Sequence, residues 1–448
     1  MRPREVMAVA RTIRVGLIGC GVVGTGILRL LRDNEAMIAR RLGAPIEIRR
    51  IGVREPEKTR DEVVPRGLLT PEPLEVVDDP EVDVVVEVMG GLEPAGPLVR
   101  AALERGKHVV TANKALLSEA GDELLEMAEE RKVDLYFEAA VAGGIPIIRV
   151  LREGLASDRI VALRGIVNGT SNYVLSRMRD EGIDFGVALE GAQKAGYAEA
   201  DPTLDVGGGD AAHKLAILAM LAFGAKVHPK QILTEGIDRV AAVDMQFAER
   251  FGYVIKPLAV ARMVGGDRLD LRVHPALVSE DSVLASISGA LNAVYIEGAM
   301  VGPCLLSGLG AGALPTAMSV VSDIVDVGRN LLTRAHARVP SRSFRGESLR
   351  DYILQDTGDH VARFYLRFSG RDRPGVLARV SGVLGEHGVS IEQMVQDGRG
   401  GETGSEPVHM VMLTHEACEG DVRKALSIID GMGDIIMQPT HALRIEEG

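Results

Sequence analysis

Tryptophan is absent, and the only cysteines, Cys20, Cys304 and Cys418, lie far apart in 448 residues. None forms a CxxC pair and an odd, scattered set builds no disulfide framework, which suits a reducing, cytoplasmic setting. Long apolar runs are missing too: the most apolar stretch, LAILAMLAFGA from Leu215, is about half a bilayer crossing and reads as a buried helix. No apolar core followed by a small-residue cleavage site opens the chain, so no signal peptide is read. Basic residues are outnumbered, 51 against 63 acidic, and the net charge of −12 argues against nucleic acid or a membrane surface as partner. The histidines show no HxxH, HxxxH or HExxH spacing, which argues against zinc. Neither a GxSxG elbow nor a GxxxxGK[ST] loop occurs, removing the commonest hydrolase and NTPase readings.

Glycine is what the chain has in excess, 52 residues against an average of roughly 7%. From Thr12 a strand (TIRVGLIG), a glycine turn and an amphipathic helix follow in order, then further apolar runs begin at Ile46, Val82 and His108. Short β-rich runs alternating with helices predict an α/β, Rossmann-type doubly wound parallel sheet. We expect it to span 11–141, followed by an α+β catalytic and dimerisation domain over 142–301. The stretch 302–340 begins with glycines and continues as a long amphipathic helix, expected to return to the nucleotide-binding domain, and the polar stretch 341–360 reads as a linker. Over 361–448 the order strand, helix, strand, strand, helix, strand predicts a ferredoxin-like βαββαβ unit. Its GRGGETGSEP insert, 398–407, reads as a mobile loop, and 1–10 as a disordered tail.

Several motifs carry chemistry. GCGVVG places Gly19, Gly21 and Gly24 between strand and helix, with Val22 and Val23 opening the helix, so that backbone N–H groups can meet a pyrophosphate. At the end of the second strand stands Arg54, with Lys58 nearby, where an NAD-selective site would place an acid; this favours NADP, while Glu55 leaves dual use open. Thr111, Asn113 and Lys114 fall at a strand end, the edge where such sheets bind ligands. The densest group is Glu199, Asp201, Asp205, Asp210 and Lys214, ahead of an apolar helix. Asp210 and Lys214, four apart, share one helix face, and such a lysine can exchange a proton with a substrate oxygen. The plainer alternatives are a helix cap and a surface ion pair.

GLIGCGVVG, TANK, FEAAVAGGIPII, GIVNGTSNY, GYAEADPTLD followed by DAAHK, and GLGAGALPT occur in this order, and together they resemble homoserine dehydrogenases. The resemblance implies NAD(P)H-dependent interconversion of L-aspartate 4-semialdehyde and L-homoserine, on the route to threonine, methionine and isoleucine. It implies Lys214 as general acid and base, Lys114 as the cation beside the developing alkoxide, and Glu199, Asp205 and Asp210 around the substrate ammonium or Lys214. Gly169 and Thr170 are then expected at the substrate, and Gly90, Gly91, Thr111, Asn113, Gly310 and Gly312 near the cofactor. It further implies a sodium ion held by backbone oxygens of Glu138, Val141, Gly143 and Ile145. The C-terminal unit resembles an ACT domain, whose turn Asp372 to Leu377, including Gly375 and Val376, implies feedback by L-threonine. An assembly module without ligand is the alternative there, and a non-catalytic amino-acid sensor is the alternative for the whole chain. A homo-oligomer, dimer or tetramer, is expected.

Overall fold

The computed structural model describes residues 11–397 and 408–446, so the tail 1–10 and the insert 398–407 lie outside the described residues. The chain forms two units, one from Met1–Leu163, Ala212–Gln231 and Asn292–Tyr352, the other from Arg164–Ala211, Ile232–Leu291 and Ile353–Gly448. Among the described residues no helix is long and apolar enough to cross a membrane.

In the first unit, β1 (Ile13–Ile18), β2 (Ile46–Gly52), β3 (Leu69–Thr70), β4 (Val84–Glu87), β5 (His108–Thr111) and β6 (Leu135–Tyr136) form a sheet. Its order is β3-β2-β1-β4-β5-β6, and every pairing is parallel. This is the doubly wound order, with a switch point between β1 and β4 that opens a crevice at the strands' C-terminal ends. The central strands β1, β4 and β5 are almost wholly buried because helices cover both faces. Ile13, Val15, Leu17, Val84, Val86 and Val110 are wholly buried, and Val320, Ile324 and Val327 of the helix Ala313–Thr333 join the same core. Each such side chain contributes roughly 1.5–3 kcal/mol by leaving water. That helix packs tightly on the helix Val22–Asp33: a Cβ on Gly26 would lie 2.5 Å from the Ala313 carbonyl oxygen.

In the second unit, β7 (Tyr253–Met263), β8 (Arg268–Ser279), β9 (Val361–Gly370), β10 (Ile391–Asp397), β11 (Val408–Thr414) and β12 (Ile436–Glu446) are hydrogen-bonded in the order β7-β8-β12-β9-β11-β10. With the helices Val376–Glu386 and Glu419–Asp430, the last four strands make the expected ferredoxin-like unit. It does not stand apart. β12 pairs in parallel with β8, Ala276 beside Arg444 and Val278 beside Glu446, so one sheet runs through. Alternation along β9 sends Phe364, Leu366 and Phe368 toward the unit's own helices and Tyr365 into a second core with Val174, Met178, Met245 and Phe247. Within the polar stretch read as a linker, Ile353–Leu354 pairs with β8, held by backbone bonds that no side-chain pattern announces.

Charges are buried in this unit as opposed pairs and clusters. The Asp244 carboxylate, fully buried, accepts from Ala241 N at 2.9 Å, Tyr365 Oη at 2.8 Å and Arg367 Nε at 2.6 Å, with His441 Nδ1 at 3.0 Å. Burial raises its pKa, but His441 and Arg367 outweigh that and hold it well below the ordinary range. Glu446 is treated alike: burial opposes, His274 and Arg272 win, and its carboxyl falls to about 2. Both groups bind fewer protons folded than unfolded, so their contribution is complete above the unfolded pKa of about 4 and is lost as pH falls toward the folded values. The Tm of the protein should therefore drop steeply between about pH 4.5 and 2.5. A Tm flat through that range in a pH series by circular dichroism would contradict this account.

Candidate active site

The crevice starts at the glycine turn. Gly19 has φ +98°, and a Cβ there would sit 2.9 Å from the Val88 carbonyl oxygen and from Met89 N in the loop after β4. At Gly24 a Cβ would lie 2.5 Å from Gly19 O, so the helix packs close under the turn. Gly21 meets nothing within 4 Å, which leaves the backbone open on the side a pyrophosphate approaches. Val22, 71% exposed, and Val23 begin the helix.

The loop after β4 is pinned by Glu87, which the sequence reading missed. It is wholly buried and accepts from Met89 N at 2.8 Å, Gly90 N at 3.1 Å and Thr111 Oγ1 at 2.6 Å. Thr111 in turn accepts from Asn113 N at 3.0 Å; Asn113 donates to Gly91 O at 2.6 Å and caps the helix Lys114–Arg131 through Leu116 N at 3.1 Å. One carboxylate thus ties together Gly90, Gly91, Thr111 and Asn113. Its signal was legible as an acid ending the otherwise apolar strand VVVE.

A cavity of about 290 Å³ opens here and brings together Val23, Gly90, Asn113, Lys114, Gly143, Lys214 and Gly310. Gly91 and Thr111 support its wall without lining it, while Gly312, φ +127°, caps the helix Ala313–Thr333. Arg54 is exposed just beyond β2, away from this cavity. A second cation, missed from sequence, joins the two loops: Arg60 donates to Cys20 O at 3.1 Å and to Glu55 O at 2.9 Å.

Glu138, Val141, Gly143 and Ile145 fall in one buried loop, reversed by Ala142 and Gly143 at φ +51° and +28°. The Glu138 carboxylate accepts from Ile148 N and Arg149 N, both at 2.9 Å, and burial followed by the charge of Asp323 pushes its pKa up. Gly143 O accepts from Ser319 Oγ at 2.6 Å and Ile145 O from Ile147 N at 2.8 Å; each keeps a second lone pair, and carbonyl oxygens are the donor type a hard monovalent cation takes.

In the second unit the amide of Asn168 donates to Asp205 Oδ1 and Asp210 Oδ2, each at 2.8 Å. Its oxygen caps the helix Gly169–Glu181 through Ser171 N at 2.8 Å. Thr170 Oγ1 donates to Tyr197 O at 2.6 Å and lies 3.3 Å from Asp205 Oδ2. Gly169, Thr170, Asp205 and Asp210 are therefore assembled, with Asn168 as the organiser that sequence reasoning passed over although it stands in NGTSNY as a plain N-cap. Glu199 is exposed, and only its carbonyl is bonded, to Gln193 Nε2 at 3.1 Å. Asp210 and Lys214 lie one turn apart on the helix Gly209–Phe223. In the ferredoxin-like unit, Asp372, Gly375, Val376 and Leu377 line a cavity of about 360 Å³ together with Arg371 and Gln396.

A doubly wound sheet with a lysine-bearing crevice defines a nucleotide-binding class of enzyme, and its chain also carries a ferredoxin-like portion with a cavity of its own. Family models match in the same order: the homoserine dehydrogenase NAD binding domain at 19–138, homoserine dehydrogenase at 146–325 and the ACT domain at 364–433. A homoserine dehydrogenase of Neisseria gonorrhoeae is 42% identical, over 97% of this chain and 99% of that protein. The crystal structure of a homoserine dehydrogenase from Thiobacillus denitrificans superposes with a TM-score of 0.91 at 45% identity, covering 98% of this chain and 99% of that one. A hyperthermophilic archaeal homoserine dehydrogenase in complex with NADPH matches with a TM-score of 0.60 at 26% identity, over 71% of this chain and 98% of that one. The chain belongs to the homoserine dehydrogenase family, as an oxidoreductase acting on a CH–OH group, with a nucleotide-binding domain and a C-terminal ACT domain.

Replacing Glu87 with alanine removes the acceptor for two backbone N–H groups and a buried hydroxyl, at about 1–3 kcal/mol for a buried donor left unsatisfied. The Glu87→Ala protein should melt lower and bind NADPH about tenfold more weakly in a fluorescence titration. Unchanged affinity would show that the loop is held without it.

Proposed function

We propose that the protein interconverts L-aspartate 4-semialdehyde and L-homoserine with NADP in preference to NAD, a step toward threonine, methionine and isoleucine. The observation that carries this reading is the single cavity in which Lys114 and Lys214 meet the glycine loops of a nucleotide-binding sheet. A bound nicotinamide supplies or accepts the hydride at the substrate carbon. In reduction the Lys214 ammonium gives its proton to the carbonyl oxygen, and in oxidation the neutral amine removes it from the hydroxyl. Lys114 adds positive charge beside the alkoxide as it develops. Asp210, one turn before Lys214, orients that amine, while Asp205 and Glu199 receive the substrate ammonium and Gly169 and Thr170 contact the rest of the molecule. Gly19, Gly21, Val22, Val23 and Gly24 receive the pyrophosphate; Gly90, Gly91, Thr111, Asn113, Gly310 and Gly312 surround the nucleotide.

The preference for NADP rests on Arg54, at the end of β2, with Arg60 joining that loop to the glycine turn. The carbonyls of Glu138, Val141, Gly143 and Ile145 would hold a sodium ion, which would brace the turn that follows β6. L-threonine is the ligand we assign to the cavity of Asp372, Gly375, Val376 and Leu377, where a carboxylate would meet the start of the helix Val376–Glu386. Nucleotide binding is assigned to 11–141 with the returning segment 302–340, catalysis and assembly to 142–301, connection to 341–360 and regulation to 361–448. The strand Gly302–Leu309 ends its sheet with Leu305 and Leu309 exposed, which supports assembly into a dimer or tetramer. Three free cysteines suit a cytoplasmic enzyme.

The test follows cofactor absorbance with L-homoserine, NADP+ and NAD+ in parallel, with and without L-threonine. Reduction that is faster with NADP+ and suppressed by threonine is the expected result; no turnover by folded protein would overturn the reaction. Lys214→Ala should lose about 10²–10⁴-fold in turnover while binding cofactor normally. Arg54→Ala should narrow the NADPH:NADH preference, and an unchanged ratio would remove Arg54 from that role.

A further inference from the structure

Where the ACT sheet continues into the rest of the second unit, two arginines and two glutamates alternate. Arg444 of β12 donates to Glu235 at 2.6 and 3.1 Å and to Glu419 at 2.8 and 2.5 Å. Arg423 donates to Glu419 at 2.9 and 2.7 Å and reaches Glu235 at 3.5 Å. Arg444 and Glu419 are 4% and 2% exposed, while the side chains of Glu235 and Arg423 keep 37% and 53% of their exposure, so the group has a buried core and an open end. Three of its members come from the ACT portion; Glu235 alone comes from the catalytic portion. Burial opposes the charge on Glu235, but the Arg444 hydrogen bonds and charge outweigh it and bring the carboxyl down to about 2.

The backbone around Glu235 packs against the helical turn Thr203–Val206 that carries Asp205. Glu235 N donates to Val273 O at 2.8 Å, and Ile237 N donates to Val206 O at 2.9 Å. A Cβ on Gly236 would lie 2.7 Å from Val206 O and 3.0 Å from the Gly207 Cα; one on Gly208 would lie 2.9 Å from Thr234 Cγ2. No slack separates the two segments, so a shift of 234–237 is a shift of 205–208. At the other end, β12 places Arg444 opposite Phe364 of β9, and β9 runs directly into Arg371 of the ligand cavity.

We infer that Glu235 and Arg444 form a positioning pair through which the ACT sheet sets the place of the helical turn carrying Asp205, and with it the affinity for the amino-acid substrate. This rests on the reading of Asp205 as a substrate residue. Glu235 touches no reacting atom. The pair instead gives ACT ligand and substrate a shared element, and a ligand that moves β9 and β12 would act on KM for homoserine before it acts on kcat.

The test is steady-state kinetics of Glu235→Gln, which keeps the shape and removes the charge, while Glu419 retains both its arginines. KM for homoserine should rise about 5–10-fold, with KM for the cofactor and kcat held within about twofold. Glu235→Asp, which restores the carboxylate, should recover part of the loss. Arg444→Lys, which keeps the charge and gives up the fork, should show a smaller rise of the same kind and stands in if Glu235→Gln does not fold. An unchanged homoserine KM in folded variants, or an equal rise in the cofactor KM, would overturn the proposal. In wild type that threonine inhibits, the Glu235→Gln inhibition curve should move to higher threonine by a similar factor, and an unmoved curve would count against the link. Wild type indifferent to threonine refutes that ligand assignment alone, since the split in KM still decides the role of the pair.

Discussion

Two carboxylates sharing one amide is the constraint on which the rest of this molecule depends. Asn168 donates to both Asp205 and Asp210, and Asp210 is 4% exposed. Ionised carboxylates brought together in a partly dry place repel, and the cost is met only if donors and cations converge on them. The local fold is arranged to do this. Asn168 follows the strand Ile160–Ile166 and caps a helix with the same side chain that holds the acids, so its rotamer is fixed by secondary structure. Thr170 is anchored to Tyr197 O, and Ser171 Oγ donates to Asp205 O at 2.9 Å, which fixes the loop from beneath. The two carboxylates are thus held firmly, and Asp210 stands one helical turn ahead of Lys214 on the helix Gly209–Phe223.

Much of this was legible because periodicity reports burial. The parallel strands read as apolar runs, the ferredoxin-like unit as alternating segments, and the glycine turn as strand, turn and helix, since each pattern follows from which faces are covered. Lys114, Lys214, Gly90, Asn113 and Gly310 were identifiable from motifs and do share a cavity. What escaped were residues whose importance lies in their partners. Glu87 looks like the polar end of a strand, and Arg60 like one charge in a charged loop; only the fold discloses that the first ties Met89, Gly90 and Thr111 together and the second spans Cys20 and Glu55.

The same limit explains the junction of the C-terminal unit. Arg444 and Glu446 belong to the last strand of the expected ferredoxin-like unit, whose pattern does not announce that they are 4% and 6% exposed. Their burial depends on β12 pairing with β8, residues some 170 positions earlier, through backbone bonds that carry no side-chain signature. Local sequence marks a strand; it does not say which strand lies beside it.

That pairing also changes what the appended module can be. A domain on a flexible linker influences its neighbour through effective concentration or by meeting a partner elsewhere. A domain that donates its last strand to the neighbour's sheet, and fills its own inner face with Val174, Met178, Met245 and Phe247, has no independent position to adopt. Packed interiors switch between discrete arrangements instead of deforming smoothly. A ligand that selects one arrangement of β9 and β12 thereby selects among arrangements of β8 and of the strand Leu233–Thr234 paired to it. Any regulation through the ACT domain would then be a property of one continuous sheet, its strength limited by how differently a ligand binds the two arrangements.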